Sequence, residues 1–391
     1  MGLEIVDNKV LVLNLRNPNK VTTVIPKSKQ IGANQVAVKW GLDEARVLKN
    51  LQIKNIPSPI MGHYNWPGLH KPFDHQKTTA SFLTLNRRAF CLNEQGTGKT
   101  GSVIWAADYL MKVGKIKRVL VICPLSIMDS AWRADLFKFA MHRHVDIAYG
   151  NKLKRSMIIR SDAEFVIINY DGVEIVQEEI INGGFDLIVI DEANAYKNPT
   201  TTRWKTLSKI LKPDTWLWMM TGTPASQSPV DAYGLAKLVN PSGVPKFQTA
   251  WRDKVMNKIS MFKWMPKANA RELVYDALQP AIRFTKQQCL DLPPVITVTR
   301  EVDMTPQQNK YYKLLKDQMM VRAAGETISA VNAGVVVSKL LQISCGAAYT
   351  DDKEVVEFDA KPRLHVLDEV LEETERKVII FAMFRSSIDT I

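Results

Sequence analysis

Cysteine is scarce in this 391-residue chain, and Cys91, Cys123, Cys289 and Cys345 stand far apart. That excludes a disulfide framework and any paired zinc-ligand spacing, and a reducing, cytoplasmic compartment is the expectation. Long apolar runs are missing too. None approaches the roughly 18 residues of a membrane-spanning helix, and residues 1–20 lack the basic-then-apolar order of a signal segment. Neither secretion nor a membrane partner is expected. There is no internal repeat and no low-complexity tract, and with 46% hydrophobic and 24% charged residues the chain is an ordinary globular one. At about 150 residues per domain, two or three domains fit this length.

Acidic side chains are in deficit. Lys and Arg number 52 against 40 Asp and Glu, a net charge of +12 that points to a polyanionic partner. The excess is concentrated. Residues 1–60 carry nine basic and four acidic side chains, residues 241–290 carry nine and three, and all the remaining residues together net only +1. In the second segment Phe247, Trp251, Phe262, Trp264 and Phe284 alternate with Lys and Arg, a composition able to stack bases and neutralise phosphates. The same residues also fit solvated basic helices over a local core.

Apolar and polar residues alternate through residues 1–40, which predicts a small β module, and Asp43 is expected to cap a helix ending near Ile53. Ile56-Pro57-Ser58-Pro59 reads as a linker. From 89 to 239 short Val- and Ile-rich runs alternate with helical stretches. The runs at 89–92, 118–123, 145–149, 165–169, 187–190 and 216–220 predict a parallel sheet covered by helices on both faces. A basic, helix-rich stretch follows to about Leu290. Beyond Leu292-Pro293-Pro294 come a strand at 295–302, helices at about 307–324 and 329–345, a hairpin around Asp351-Asp352, another helix and a last strand at 378–383.

One predicted strand runs into Glu94-Gln95-Gly96-Thr97-Gly98-Lys99-Thr100 and then a helix, the setting a phosphate-binding loop requires. Glycines let backbone N–H groups approach phosphate oxygens, the helix N-terminus adds positive potential, Lys99 reaches the terminal phosphates, and the Thr100 hydroxyl suits Mg²⁺. The full pattern would put its first glycine at Asn93, so the loop is a variant form. A second strand ends in Asp191-Glu192-Ala193-Asn194. Alone, such a pair commonly caps the next helix. Paired with a phosphate loop, Asp191 can hold the metal through water while Glu192 polarises the attacking water.

In this order the motifs resemble a helicase superfamily 2 ATPase of the Swi/Snf-like group, close to the helicases of bacteriophages. Lys71-Pro72-Phe73-Asp74-His75-Gln76 is similar to the adenine-reading motif, which makes Gln76 the base contact. Gly96, Thr97, Gly98, Lys99 and Thr100, with Asp191 and Glu192, match the two nucleotide motifs. Asn194 stands where the family usually has His. Cys123-Pro124-Leu125-Ser126 with Trp132, and Asn169-Tyr170-Asp171, resemble strand-tip motifs that hold nucleic-acid backbone; Thr221-Gly222-Thr223-Pro224 resembles the motif coupling the two sites. Leu292-Pro293-Pro294, Gln307-Gln308, Tyr311-Tyr312 and the run from Val378 to Arg385 are similar to the entry and first core strand of a second lobe.

The resemblance implies an α/β fold: a RecA-like P-loop parallel sheet with helices on both faces, a helical protrusion and a partial second RecA-like lobe. The expected divisions are 1–60, a basic β-rich accessory module; 61–240, the first lobe; 241–294, a basic helical protrusion; and 295–391, the start of the second lobe. Past Phe384 the family pattern needs roughly 100 further residues, including arginines that reach the γ-phosphate. The chain is therefore expected to be truncated, with a separate polypeptide completing the lobe. ATP and Mg²⁺ are the implied cofactors, DNA the implied partner, and a bacterial host cytoplasm the location if phage-encoded. Two rival functions stay open: a module that grips ATP and DNA without turnover, and a small-molecule P-loop kinase. Thr221-Gly222-Thr223-Pro224, the Pro124-Leu125-Ser126 tip and the lack of an evident lid count against the kinase.

Overall fold

The structure, a computed structural model, describes residues 2–261, 263–289, 295–325, 330–349, 354–374 and 377–391. It falls into two compact units, Met1–Leu292 and Pro293–Ile391.

The first unit opens with an antiparallel sheet of β1 (Leu3–Val6), β2 (Val10–Asn14), β3 (Lys29–Gln30) and β4 (Gln35–Lys39), in the order β1-β2-β4-β3. Alternation turns Leu11, Leu13, Val36 and Val38 into a small core closed by Ala45 and Leu48 of the helix Leu42–Asn50. Gly41, not Asp43, is the N-cap of that helix. Asp43 lies in the first turn, where a carboxylate favours the helix dipole, and pairs with Lys115 at 2.7 Å.

The main sheet has seven parallel strands: β5 (Arg88–Cys91), β6 (Val119–Cys123), β7 (Val145–Ile147), β8 (Phe165–Asn169), β9 (Leu187–Ile190), β10 (Trp216–Met220) and, at one edge, β13 (Ala281–Ile282), in the order β13-β5-β10-β9-β6-β8-β7. Six lie on the apolar runs of the sequence, because a strand covered on both faces must be apolar along most of its length. The period of two divides them between two cores. Leu120, Ile122, Ile188, Ile190, Leu217 and Met219 face one side with Leu207 and Leu235; Val119, Val121, Leu187, Val189, Trp216 and Trp218 face the other with Leu83, Val103 and Leu110.

The stretch expected as a protrusion holds helices Gln248–Val255 and Ala270–Ala277 and a hairpin of β11 (Met256–Lys258) with β12 (Trp264–Pro266). Trp251 is core, and Arg252 stacks 4.4 Å over the Trp264 ring. Phe247 is exposed, and Phe262 lies outside the described residues. The chain then returns to the main sheet, where Ala281 pairs with Phe90 and Ile282 with Cys91.

In the second unit, helices Pro306–Gly325 and Ala330–Cys345 pack together beside a hairpin of β14 (Ala347–Tyr349) and β15 (Val355–Glu357). Its predicted turn at Asp351-Asp352 lies outside the described residues. Gln308 donates to Ile343 O at 2.9 Å, and Tyr311 meets Phe358 edge-on. Helices Lys361–Glu372 and Arg385–Thr390 follow. Two expected strands do not form: among the described residues neither 295–302 nor 378–383 has a paired neighbour, and both stay largely exposed. A strand exists only through its ladder, so apolar composition alone could not produce one.

Candidate active site

Nearly all the chemistry-bearing motifs leave the carboxyl ends of the parallel strands, the edge where such sheets bind ligands. The phosphate loop follows β5, Pro124 and Ser126 follow β6, Asn169 and Tyr170 mark the end of β8, Asp191 and Glu192 follow β9, and Thr221, Gly222 and Thr223 follow β10.

Gly96 and Gly98 have φ of +82° and +73°, a region that favours glycine, and Gly98 caps the helix Lys99–Lys112. A Cβ on Gly98 would stand 2.0 Å from Gln76 Nε2, so the backbone approach is built in. Thr97 is buried, its hydroxyl donating to Glu94 O at 2.8 Å. Lys99 Nζ donates to the same carbonyl at 3.2 Å, and Thr100 is half-buried in the first helical turn. Gln76 is buried: its amide oxygen accepts the Phe73 N–H at 2.9 Å, starting the helix Asp74–Leu85, and its amide nitrogen is 3.4 Å from Gly98 O.

Three residues assigned no role at the loop from the sequence, His75, Asn93 and Phe284, complete its support. His75 Nε2 donates to Thr97 O at 2.8 Å. Asn93, fully buried where the full pattern has glycine, donates to Thr79 Oγ1 at 2.9 Å and accepts the Phe284 N–H at 3.0 Å. Phe284 O in turn accepts the Glu94 N–H at 2.9 Å, and Lys286 N–H meets the Glu94 carboxylate at 3.0 Å. The departure at Asn93 was a visible signal that its side chain had a task; its partners, Thr79 and, 191 residues away, Phe284, were not visible.

Asp191 is buried beside this loop. Its Oδ1 accepts the Glu192 N–H and its Oδ2 the Trp132 indole N–H, both at 2.9 Å. Burial raises its carboxyl above the usual range, while the Trp132 and Glu192 bonds and the Lys99 charge pull it back. Glu192 has φ +47° and ψ 57°, left-handed and strained for a residue with a side chain. Asn194 Nδ2 donates to Thr223 O at 2.8 Å, and Thr221 Oγ1 accepts the Thr223 N–H at 3.2 Å. Gly222 lies against the phosphate loop, since a Cβ there would be 3.6 Å from Gln95 N. The Asp191–Asn194 stretch thus touches the Thr221–Thr223 motif directly. Cys91 and Cys123 are buried nearby, each thiol pushed up to about 12 chiefly by burial, which leaves them unreactive.

At the other tips, Ser126 is exposed and Pro124 half-buried. Asn169 turns inward, its Oδ1 accepting from buried Arg155 at 2.9 Å, and the Tyr170 hydroxyl reaches the Asp191 and Glu192 carbonyls. The expected site residues are gathered along one edge, where Gly96, Gly98, Ser126 and Thr223 are exposed to solvent.

These residues fit a magnesium nucleotide. The glycines at 96 and 98 leave a cradle that a Cβ would fill, Lys99 supplies the cation, and Thr100 and Asp191 are the oxygen donors a hard divalent ion takes. Among the described residues no group of three His, Cys, Asp or Glu side chains comes together as a metal cage, and Mg²⁺ commonly relies on one or two carboxylates plus substrate phosphates. No described helix is long and apolar enough to cross a membrane.

Residues 75–345 match the SNF2-related domain family. An uncharacterised ATP-dependent helicase of Mycoplasma genitalium is 28% identical over 306 residues, covering 76% of this chain and 28% of that protein. A putative protein, p41, of Acyrthosiphon pisum secondary endosymbiont phage 1 is 22% identical over 331 residues, 80% of this chain and 71% of that one. The SWI2/SNF2 ATPase core of Sulfolobus solfataricus, solved in complex with double-stranded DNA, superposes with a TM-score of 0.52 at 22% identity, covering 82% of this chain and 69% of that one. The chain therefore spans little more than a quarter of the Mycoplasma protein and about seven tenths of the phage protein.

Proposed function

The chain belongs to the SNF2-related domain family and has the architecture of an ATP-hydrolysing helicase superfamily 2 domain, and from that premise we propose that it couples ATP hydrolysis to movement along DNA. The observation that carries this reading is the bond from Asn194 to Thr223, which ties the carboxylate stretch to the motif lying against the phosphate loop. Lys99 and the N–H groups of 96–100 hold the phosphates, Thr100 and Asp191 hold Mg²⁺, and Glu192 orients and polarises the water. When bound, Mg²⁺ supplies neutralisation of the charge that develops on the β- and γ-phosphates. Gln76 reads the adenine edge from the start of its helix. Pro124, Ser126, Asn169 and Tyr170 form the grip on nucleic acid, and Thr221, Gly222 and Thr223 link grip to cleavage.

DNA is the favoured polymer because the superposing Sulfolobus core was captured with duplex DNA and because this chain concentrates its positive charge in two segments. ATP turnover with and without duplex DNA, measured on this chain alone and with a polypeptide that completes the second lobe, tests the reading: slow turnover by the chain alone and DNA-stimulated turnover by the completed enzyme are the expected results. Tight binding of both ligands with no turnover would favour a gripping module instead, and binding of nucleotide with no affinity for any nucleic acid would sink the proposal.

A further inference from the structure

Two aromatic side chains carry the strand tips at 124–126 and 169–171 onto the carboxylate pair. Trp132, fully buried, sits in the π-helical stretch Met128–Arg133 just beyond the tip of β6, and its indole N–H is bonded to Asp191 Oδ2. Such stretches concentrate at functional sites because the helical ladder is locally broken. Tyr170 begins the helix Tyr170–Ile175 at the tip of β8. In the sheet β6 lies between β8 and β9, so the Tyr170 hydroxyl reaches past the β6 tip to donate to Asp191 O at 2.5 Å, with Glu192 O at 3.2 Å.

The two contacts act on different parts of the same unit. Trp132 fixes the Asp191 side chain, one of whose oxygens is already taken by the Glu192 N–H. Tyr170 fixes the backbone, because the two carbonyls it touches bracket the left-handed Glu192. That conformation is sterically unfavourable for a residue with a side chain, so some contact must hold it. Tyr170 is itself anchored to its own tip: Arg203 lies 4.8 Å over its ring and pairs with Asp171 at 2.9 Å. Hydrogen bonds weaken steeply with misalignment, so neither tip can move without disturbing Asp191 or Glu192. This route is separate from the Asn194–Thr223 contact.

We propose that Trp132 and Tyr170 are positioning residues through which nucleic acid seated on the two strand tips sets the geometry of Asp191 and Glu192, so that each ligand alters the affinity for the other. The inference rests on the reading of this chain as a nucleic-acid-dependent ATPase.

The test is a coupling measurement on the full chain. A fluorescent, non-hydrolysable ATP analogue with Mg²⁺ and a labelled DNA duplex are each titrated alone and with the other saturating. The ratio of affinities is the coupling factor, and it must be the same from either side. The expected wild-type factor is about 5–150-fold, and Trp132→Phe and Tyr170→Phe should each lower it by about 2–30-fold, whatever becomes of the separate affinities. Tyr170→Phe removes a single oxygen and keeps the test decisive should the Trp132 variant fail to fold. Variants that bind both ligands with the wild-type factor overturn the inference. So does a wild-type chain that binds both ligands independently, though the two sites would stand. A wild-type chain that binds nucleotide and no nucleic acid overturns the functional reading itself.

Discussion

The runs Leu187–Ile190 and 378–383 read alike in the sequence, each a short apolar series rich in Ile and Val, and the molecule treats them differently. Leu187 sits between Val119 and Trp216 in the sheet, and every residue of its strand is buried. Ile379 and Phe381 are 78% and 92% exposed, with no strand beside them among the described residues. Apolar composition gives a segment a reason to be covered; neighbours of matching register are what cover it. Function follows the same division, because the tips of paired strands are where the first unit places its chemistry.

Replacing one residue in each run should expose this contrast most strongly. Val189→Asp buries an unpaired carboxylate, a cost of several kcal/mol against a typical domain stability of about 5–15 kcal/mol. The first unit should lose its cooperative unfolding transition. Ile379→Asp, at an exposed position, should shift stability by no more than about 0.5 kcal/mol. Denaturant titrations of both variants measure the difference, and equal destabilisation would break the comparison.

A second contrast separates the sheet as scaffold from its tips as chemistry. Glu192→Gln keeps size and fold but loses the carboxylate, so hydrolysis should fall by about 10²–10⁴ while nucleotide still binds. Turnover measured beside a fluorescent-nucleotide titration resolves the two effects, and normal turnover would remove Glu192 from the mechanism. Lys99→Ala should act the other way round, weakening nucleotide binding on the order of 10–100-fold, the worth of one charged hydrogen bond. The same titration would show it.

Six strands of the main sheet were legible because burial on both faces demands continuous apolar runs, and those runs are rare elsewhere in the chain. Ala281–Ile282 was not legible. Two residues between Pro280 and Arg283 carry no strand signal, and their place depends on pairing with Phe90 and Cys91 far upstream. The spacing of Gly96, Gly98, Lys99 and Thr100 was readable because a phosphate loop is local in sequence. The supports that meet in space were not: His75 on Thr97, Asn93 between Thr79 and Phe284, and the Trp132 indole on Asp191. Likewise Asp43 offered the right side chain for a cap two residues too late, while Gly41 had the extended backbone a cap needs.

The smallest expected effect concerns charge placed away from the strand tips. Residues 241–290 hold an excess of +6, and Lys254, Lys258 and Lys263 are exposed there, whereas Lys267 is partly engaged through a bond to Asp253 O at 2.6 Å. If this segment lines the path of the nucleic acid, changing all four to Gln should weaken binding to every sequence alike, because interactions with phosphate carry no base information. Every lysine–phosphate pairing removed should lower the slope of log K against log salt by about 0.9 on duplex or about 0.7 on single strand. Lys267 should contribute least, since its ammonium already has a protein partner. Lys205 and Lys209, exposed on the helix Thr202–Ile210 in the near-neutral part of the chain, provide the matched control. Binding isotherms at several salt concentrations should show a shallower slope for the first set and an unchanged slope for the second. Equal slopes for both would make the basic segment a solvated surface and leave the strand tips as the whole of the grip.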